Sequence, residues 1–149
     1  MRPEDTILRE IGALTRTIHA IIEIKYKTLN LQKGQSIYLT RICENPGISM
    51  KELSQILMVD KTTTSKVVQK LISEKLVRKT QDSQDKRTCH LFSTAKAQQA
   101  YNIMIEEENR LTSQCYSGFS KDQQGMVLAL IRKMRQNVES DWFELKRYK

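Results

Sequence analysis

Between Ile48 and Thr94 the chain reads ISMKELSQILMVDKTTTSKVVQKLISEKLVRKTQDSQDKRTCHLFST, and this run constrains the fold more than any other. Ser49 and Glu52 form a capping box, in which hydroxyl and carboxylate satisfy reciprocal orphan amides, so a helix starts there. Leu53, Ile56 and Leu57 then fall on one face of it. Asp60 caps a second helix in which Thr64, Val67, Val68 and Leu71 recur at helical spacing. The two helices are joined by the tight turn Met58-Val59. That is a helix-turn-helix, whose second helix enters the DNA major groove.

Two β-prone runs follow, Leu76–Thr80 and Thr88–Phe92, separated by the polar stretch Gln81–Arg87. A hairpin placed after a recognition helix is a wing. Its tip carries Asp85-Lys86-Arg87. A guanidinium there can enter a narrow minor groove, where negative potential is enhanced. Asp85, two residues earlier, is placed to hold that guanidinium by a bidentate bond.

These residues resemble the MarR family of winged-helix transcriptional regulators. The matching positions are Glu52-Leu53-Ser54, Asp60 through Lys66, Leu71, Leu76-Val77, and Asp85-x-Arg87-x-x-x-Leu91-x-x-Thr94. The wing pattern is the more specific part, and the close match covers about a third of the chain. Family members often have Gly where Lys75 stands, and commonly Ala where Ser54 stands. A left-handed cap without Gly costs roughly 1 kcal/mol, so the helix exit is expected to be tightened in another way.

The charge supports a polyanionic partner. Of the net +8 over 149 residues, +5 lies between Lys61 and His90, where eight Lys or Arg meet three acids. No stretch approaches the ~20 apolar residues of a membrane span, and the opening MRPEDTILRE has no apolar signal-peptide region. A cytoplasmic location and no membrane partner are expected. Cys43, Cys89 and Cys115 lack metal-like spacing and are odd in number, which fits a reducing compartment.

Around the lobe the pattern is helical. Ile7, Ile11, Leu14, Ile18, Ile21 and Ile22 predict a helix over Glu4–Leu29, broken by Leu31–Gly34. Another is expected over Gln35–Glu44, with Ile37, Leu39, Ile42 and Cys43 inward, and Asn45-Pro46-Gly47 stops it. Thr94 begins a long helix with Ala97, Ala100, Tyr101, Met104, Leu111 and Cys115 in register, ending near Gly118. Ser120 and Gln123 box the start of a last helix through about Lys146. Its stripe is Val127, Leu130, Ile131, Met134, Val138, Trp142 and Leu145. The fold class is therefore mainly α (α+β). Residues 1–32 form an N-terminal dimerisation helix, 33–93 a winged helix-turn-helix DNA-binding lobe with a two-stranded wing, and 94–149 the helices completing the dimerisation region. The terminal stripes need burial beyond a small core, and MarR-like proteins dimerise through their first and last helices. A two-fold homodimer presents two recognition helices to a palindromic operator with half-sites ~10 bp apart.

The expected DNA contacts are Lys51, Lys61, Thr62, Thr63, Ser65, Lys66, Gln69, Lys70, Asp85, Lys86 and Arg87. Thr methyls suit thymine methyls, Gln69 suits adenine and Lys66 guanine. Lys51, Lys70 and Lys86 suit phosphates, which position without specifying. Arg87 carries the minor-groove role. The resemblance further implies repression relieved by a ligand or oxidant, commonly a small aromatic or anionic effector between the dimer helices and the lobe. Arg16, His19, Tyr26 and Tyr38 are its candidate contacts, although core packing accounts for the two Tyr and a helix surface for Arg16 and His19.

Other classes fare worse. Peroxide-sensing relatives use a Cys in the first long helix, and Met1–Leu31 has none. Cys89 and Cys115 default to small buried hydrophobes, with a thiol-responsive regulator as the alternative. Two distant His offer no zinc pair. No nucleophile elbow, phosphate loop or cofactor motif is present, and Glu106-Glu107-Glu108 diverge around a helix as a solvated face. A winged-helix module that binds protein would not need the basic excess.

Overall fold

Ser49 starts its helix as the capping box requires. The Glu52 N–H donates to the Ser49 hydroxyl and the Ser49 N–H to the Glu52 carboxylate, both at 3.1 Å. The computed structural model describes residue 2 and residues 6–147. Along these the order is α1 (Ile7–Lys25), a 3-10 turn (Tyr26–Leu29), α2 (Ser36–Glu44), β1 (Ile48–Ser49), α3 (Met50–Leu57), α4 (Lys61–Ser73), β2 (Val77–Gln81), β3 (Cys89–Ser93), α5 (Ala95–Cys115) and α6 (Lys121–Arg147). The expected start of the first helix at Glu4 lies outside the described residues.

The hairpin strands sit one residue later than the sequence predicts, with Val77 opposite Ser93 and Gln81 opposite Cys89. A third strand joins them: β1 pairs antiparallel with β3, giving the order β1-β3-β2. At two residues β1 carries no alternation, so only its partner reveals it.

The lobe closes around Leu39, Ile42, Leu53, Val68, Leu71 and Leu91, each fully buried. Side chains of this size each contribute about 1.5–3 kcal/mol when buried. Ala97, Ala100 and Met104 of α5 belong to the same cluster. Three inward expectations fail. Ile37 is 38% exposed, because α2 turns Tyr38, Leu39 and Ile42 to the core and leaves Ile37 facing an open cleft. Ile56 is 52% exposed, because α3 turns Leu53 and Ser54 to the core and leaves Ile56 beyond the edge of that arc. Cys115 is exposed because it ends α5, past the last buried residue, Leu111.

The first helix stops at Lys25 rather than Leu29 because the chain tightens to bury Tyr26, whose hydroxyl donates to the Met104 carbonyl at 3.1 Å. Beside it Glu107 accepts from Lys25 at 3.1 Å and from Arg110 at 2.6 Å. Arg110 chiefly, with Lys25, lowers its carboxyl to about 2. Glu107 is thus a tie between α1 and α5, not a solvated acid, while Glu106 and Glu108 remain exposed. The outer helices are open. No residue of α1 is buried, and Leu130, Val138 and Leu145 of α6 are 54%, 60% and 70% exposed.

Candidate nucleic-acid interface

The turn into α4 is built without glycine. Met58 adopts a left-handed conformation at φ 54°, and the Val59 N–H donates back to the Ser54 carbonyl at 3.0 Å. Asp60 then accepts from the Thr63 N–H at 2.8 Å and from the Thr63 hydroxyl at 2.9 Å. The backbone bond first, then the hydroxyl, lowers the Asp60 carboxyl below its ordinary value. Thr63 therefore offers a groove its methyl group and lone pairs, since its proton is committed to the cap.

The two sides of α4 differ. Thr64, Val68 and Leu71 are buried, and Val67 is half-buried. Lys61, Thr62, Thr63, Lys66, Gln69 and Lys70 are exposed, as expected. Ser65 is only half-buried rather than fully exposed, because it stands at the rim beside Thr64. Thr62, Lys66, Gln69 and Lys70 follow helical spacing and share one side. Lys51 lies exposed in the first turn of α3. Burial raises the Tyr38 phenol, and the Thr64 hydroxyl opposes that shift. The Thr64 oxygen makes no hydrogen bond of good geometry.

The end of α4 keeps the left-handed exit that the sequence argues against. Lys75 stands at φ 62°, the Leu76 N–H reaches the Leu71 carbonyl, and the Lys75 N–H the Ile72 carbonyl, both at 3.0 Å. This is the Schellman pair of bonds. The offset comes from α5: the Thr94 hydroxyl donates to the Lys75 carbonyl at 2.8 Å and Lys96 to the Glu74 carbonyl at 3.1 Å.

The wing turn is closed by Asp82 N–H to the Thr88 carbonyl at 2.9 Å and by Gln81 to the Lys86 carbonyl at 2.7 Å. Asp85 does not fork onto Arg87. Its Oδ1 accepts the Arg87 N–H at 3.0 Å and meets Nε only at 3.4 Å, because Oδ2 is turned to the Thr88 hydroxyl at 3.3 Å. The Arg87 side chain is 93% exposed, so its guanidinium projects from the tip. Lys86 is exposed beside it.

No motif in the sequence singles out His90. Its Nδ1 lies 2.8 Å from the Gly47 carbonyl and its Nε2 2.8 Å from Asp82 Oδ1. The Asp82 contact, then the Gly47 carbonyl, raises His90 above its ordinary value. His90, with the Asp85 and Gln84 N–H groups, lowers Asp82 to about 2.

A cleft of about 920 Å³ opens between α1, α2, α5 and α6. His19 and Tyr26 line it; Arg16 and Tyr38 do not. Arg16 folds back over Gly12 on its own helix, and Tyr38 is buried with its hydroxyl towards α4. Arg41 and Tyr116 line the cleft and were missed by the sequence, since neither sits in a recognisable motif. Cys115 reaches it too, while Cys43 and Cys89 are half-buried and burial raises the Cys43 thiol. Among the described residues no three His, Cys, Asp or Glu converge on a metal position, and no helix is long and apolar enough to cross a membrane.

Comparison with known proteins places this geometry. Residues 28–88 match the MarR family model. An uncharacterized HTH-type transcriptional regulator of Bacillus subtilis, YybA, is 37% identical over 95% of this chain and 94% of its own. A MarR protein from Peptoclostridium difficile is 49% identical, with a TM-score of 0.91 over 97% of this chain and 95% of that one. A regulator from Listeria monocytogenes assigned to the same family, solved in complex with a 26mer DNA, is 38% identical, with a TM-score of 0.93 over 96% and 95% of the two chains.

Proposed function

Because this chain belongs to the MarR family, it is a DNA-binding transcriptional regulator and not an enzyme, and we propose that it acts as a homodimeric repressor at a palindromic operator. The recognition helix α4 enters the major groove and Arg87 the minor groove. The observation that carries this reading is the pairing of two exposed features on one lobe: the Thr62-Lys66-Gln69-Lys70 side of α4 and a guanidinium 93% exposed at the wing tip. The similar Listeria protein was solved in complex with DNA, which supports the same use here. Residues 33–93 read DNA, while 1–32 and 94–149 supply the dimer contacts through stripes left uncovered in one subunit. The protein works in the cytoplasm, where its operator is. A small aromatic or anionic effector in the cleft beside His19, Tyr26 and Arg41 releases it.

A mobility shift with the promoter of its own or a neighbouring gene tests the reading. Binding should weaken steeply with salt, because each neutralised phosphate releases counterions. Arg87→Ala should weaken it about tenfold or more at fixed salt with the fold unchanged. A flat salt dependence or an unaffected Arg87→Ala variant contradicts it. Repeating the shift with aromatic carboxylates tests the effector.

A further inference from the structure

We propose that His90, as an imidazolium, is a positioning residue for DNA binding: it latches the wing turn that carries Arg87 to the segment leading into α3. This rests on the placement of the wing in the minor groove under Proposed function.

A neutral imidazole has one donor and one acceptor, whereas the imidazolium has two donors. Both His90 nitrogens face acceptors, the Gly47 carbonyl and the Asp82 carboxylate, each at 2.8 Å. A neutral ring must therefore set a lone pair against one of those oxygens. Only the protonated ring makes both bonds. Asp82 passes the constraint on, because its other oxygen accepts the Gln84 N–H at 3.0 Å and the Asp85 N–H at 2.8 Å. Asp85 in turn holds the Arg87 N–H at 3.0 Å. The chain of contacts runs from the start of the helix-turn-helix, through β3, to the guanidinium that enters the groove.

The charges around the ring come from several elements. Asp82 faces it from the wing, and Glu52 of α3 adds a second negative charge. Arg78 of β2 lies on the same sheet face, two positions from Thr80, the partner of His90, but its guanidinium is drawn over the Phe92 ring at 4.5 Å. The side chains of His90 and Asp82 are 33% and 29% exposed, so the proton exchanges with solvent.

The direction follows. His90 is raised in the folded protein, so its bonds are complete below that raised value and are lost as pH climbs through it. The Asp82 side is lost only as pH falls through about 2. DNA affinity should fall as His90 deprotonates. By reciprocity, bound DNA should tighten the proton on His90 by the same factor.

The chain has two histidines, and the signal that disappears in His90→Gln assigns the His90 imidazole C2–H to follow by NMR. His90 should titrate above the ordinary value of about 6.5 and move further up when a promoter duplex is added. Affinity for that duplex at constant ionic strength should drop about tenfold from about pH 6 to about pH 8. In His90→Gln that dependence should vanish, and Asp82→Asn should lower the His90 titration. A His90 that titrates at or below the ordinary value overturns the latch. So does a pH response that survives His90→Gln. Full affinity in Arg87→Ala would instead overturn the wing reading, and the NMR titration without DNA would still report on the latch.

Discussion

On the inner side of α4, Thr64, Val68 and Leu71 have no exposure, whereas on α6 the equally periodic Leu130, Val138 and Leu145 stay 54–70% exposed. Helical spacing tells which side of a helix is apolar but not what covers it. In the lobe the cover is local, supplied by α2, α3 and the sheet within a few dozen residues. For α6 the subunit provides almost none. One chain thus carries a lobe that covers its own apolar side and outer helices whose apolar stripes stay open.

The sharpest way to break this contrast is to hollow each region in turn. Leu71→Ala should destabilise the lobe by about 3 kcal/mol, because it opens a cavity among fully buried neighbours; urea unfolding measures it, and a loss below about 1 kcal/mol would mean that the lobe core is slack. On α6, Leu130→Glu with Val138→Glu removes no packed core contact of the single subunit. It should shift the sedimenting species from dimer to monomer while helicity persists. A variant that remains dimeric would place the interface away from this stripe.

Smaller effects refine the picture inside the lobe. Lys75→Gly should raise stability by about 1 kcal/mol, since the φ of 62° costs a side chain what it does not cost glycine. Operator affinity of that variant should fall slightly with the lost charge. Thr64→Val should be neutral or stabilising by less than about 1 kcal/mol, because it deletes a buried hydroxyl that has no good partner. A marked loss of stability in thermal melts would show that Tyr38 and Thr64 do bond in solution.

What the sequence made legible was local. Ser49 with Glu52, Asp60 with Thr63, Thr94 with Ala97 and Ser120 with Gln123 all cap where their spacing predicts, because the interacting groups are three residues apart. The recognition helix and wing tip follow from those signals and from charge. Non-local pairings escaped. β1 exists only through Leu91 and His90, Glu107 matters through Lys25, and Arg41 joins the cleft through the packing of four helices. His90 looked like one strand residue among others because its partners, Gly47 and Asp82, lie 43 and 8 positions away.

The stitching of Glu74 and Lys75 to Thr94 and Lys96 has a mechanical result. The far end of α4 is thereby fastened to the start of the 21-residue α5, which couples any tilt of α4 to the longer helix. In the proposed dimer the distance between the two α4 helices across a palindrome would follow the angle between these long struts, and a guest wedged near the opposite end of α5 would act on DNA as a hand acts through a lever.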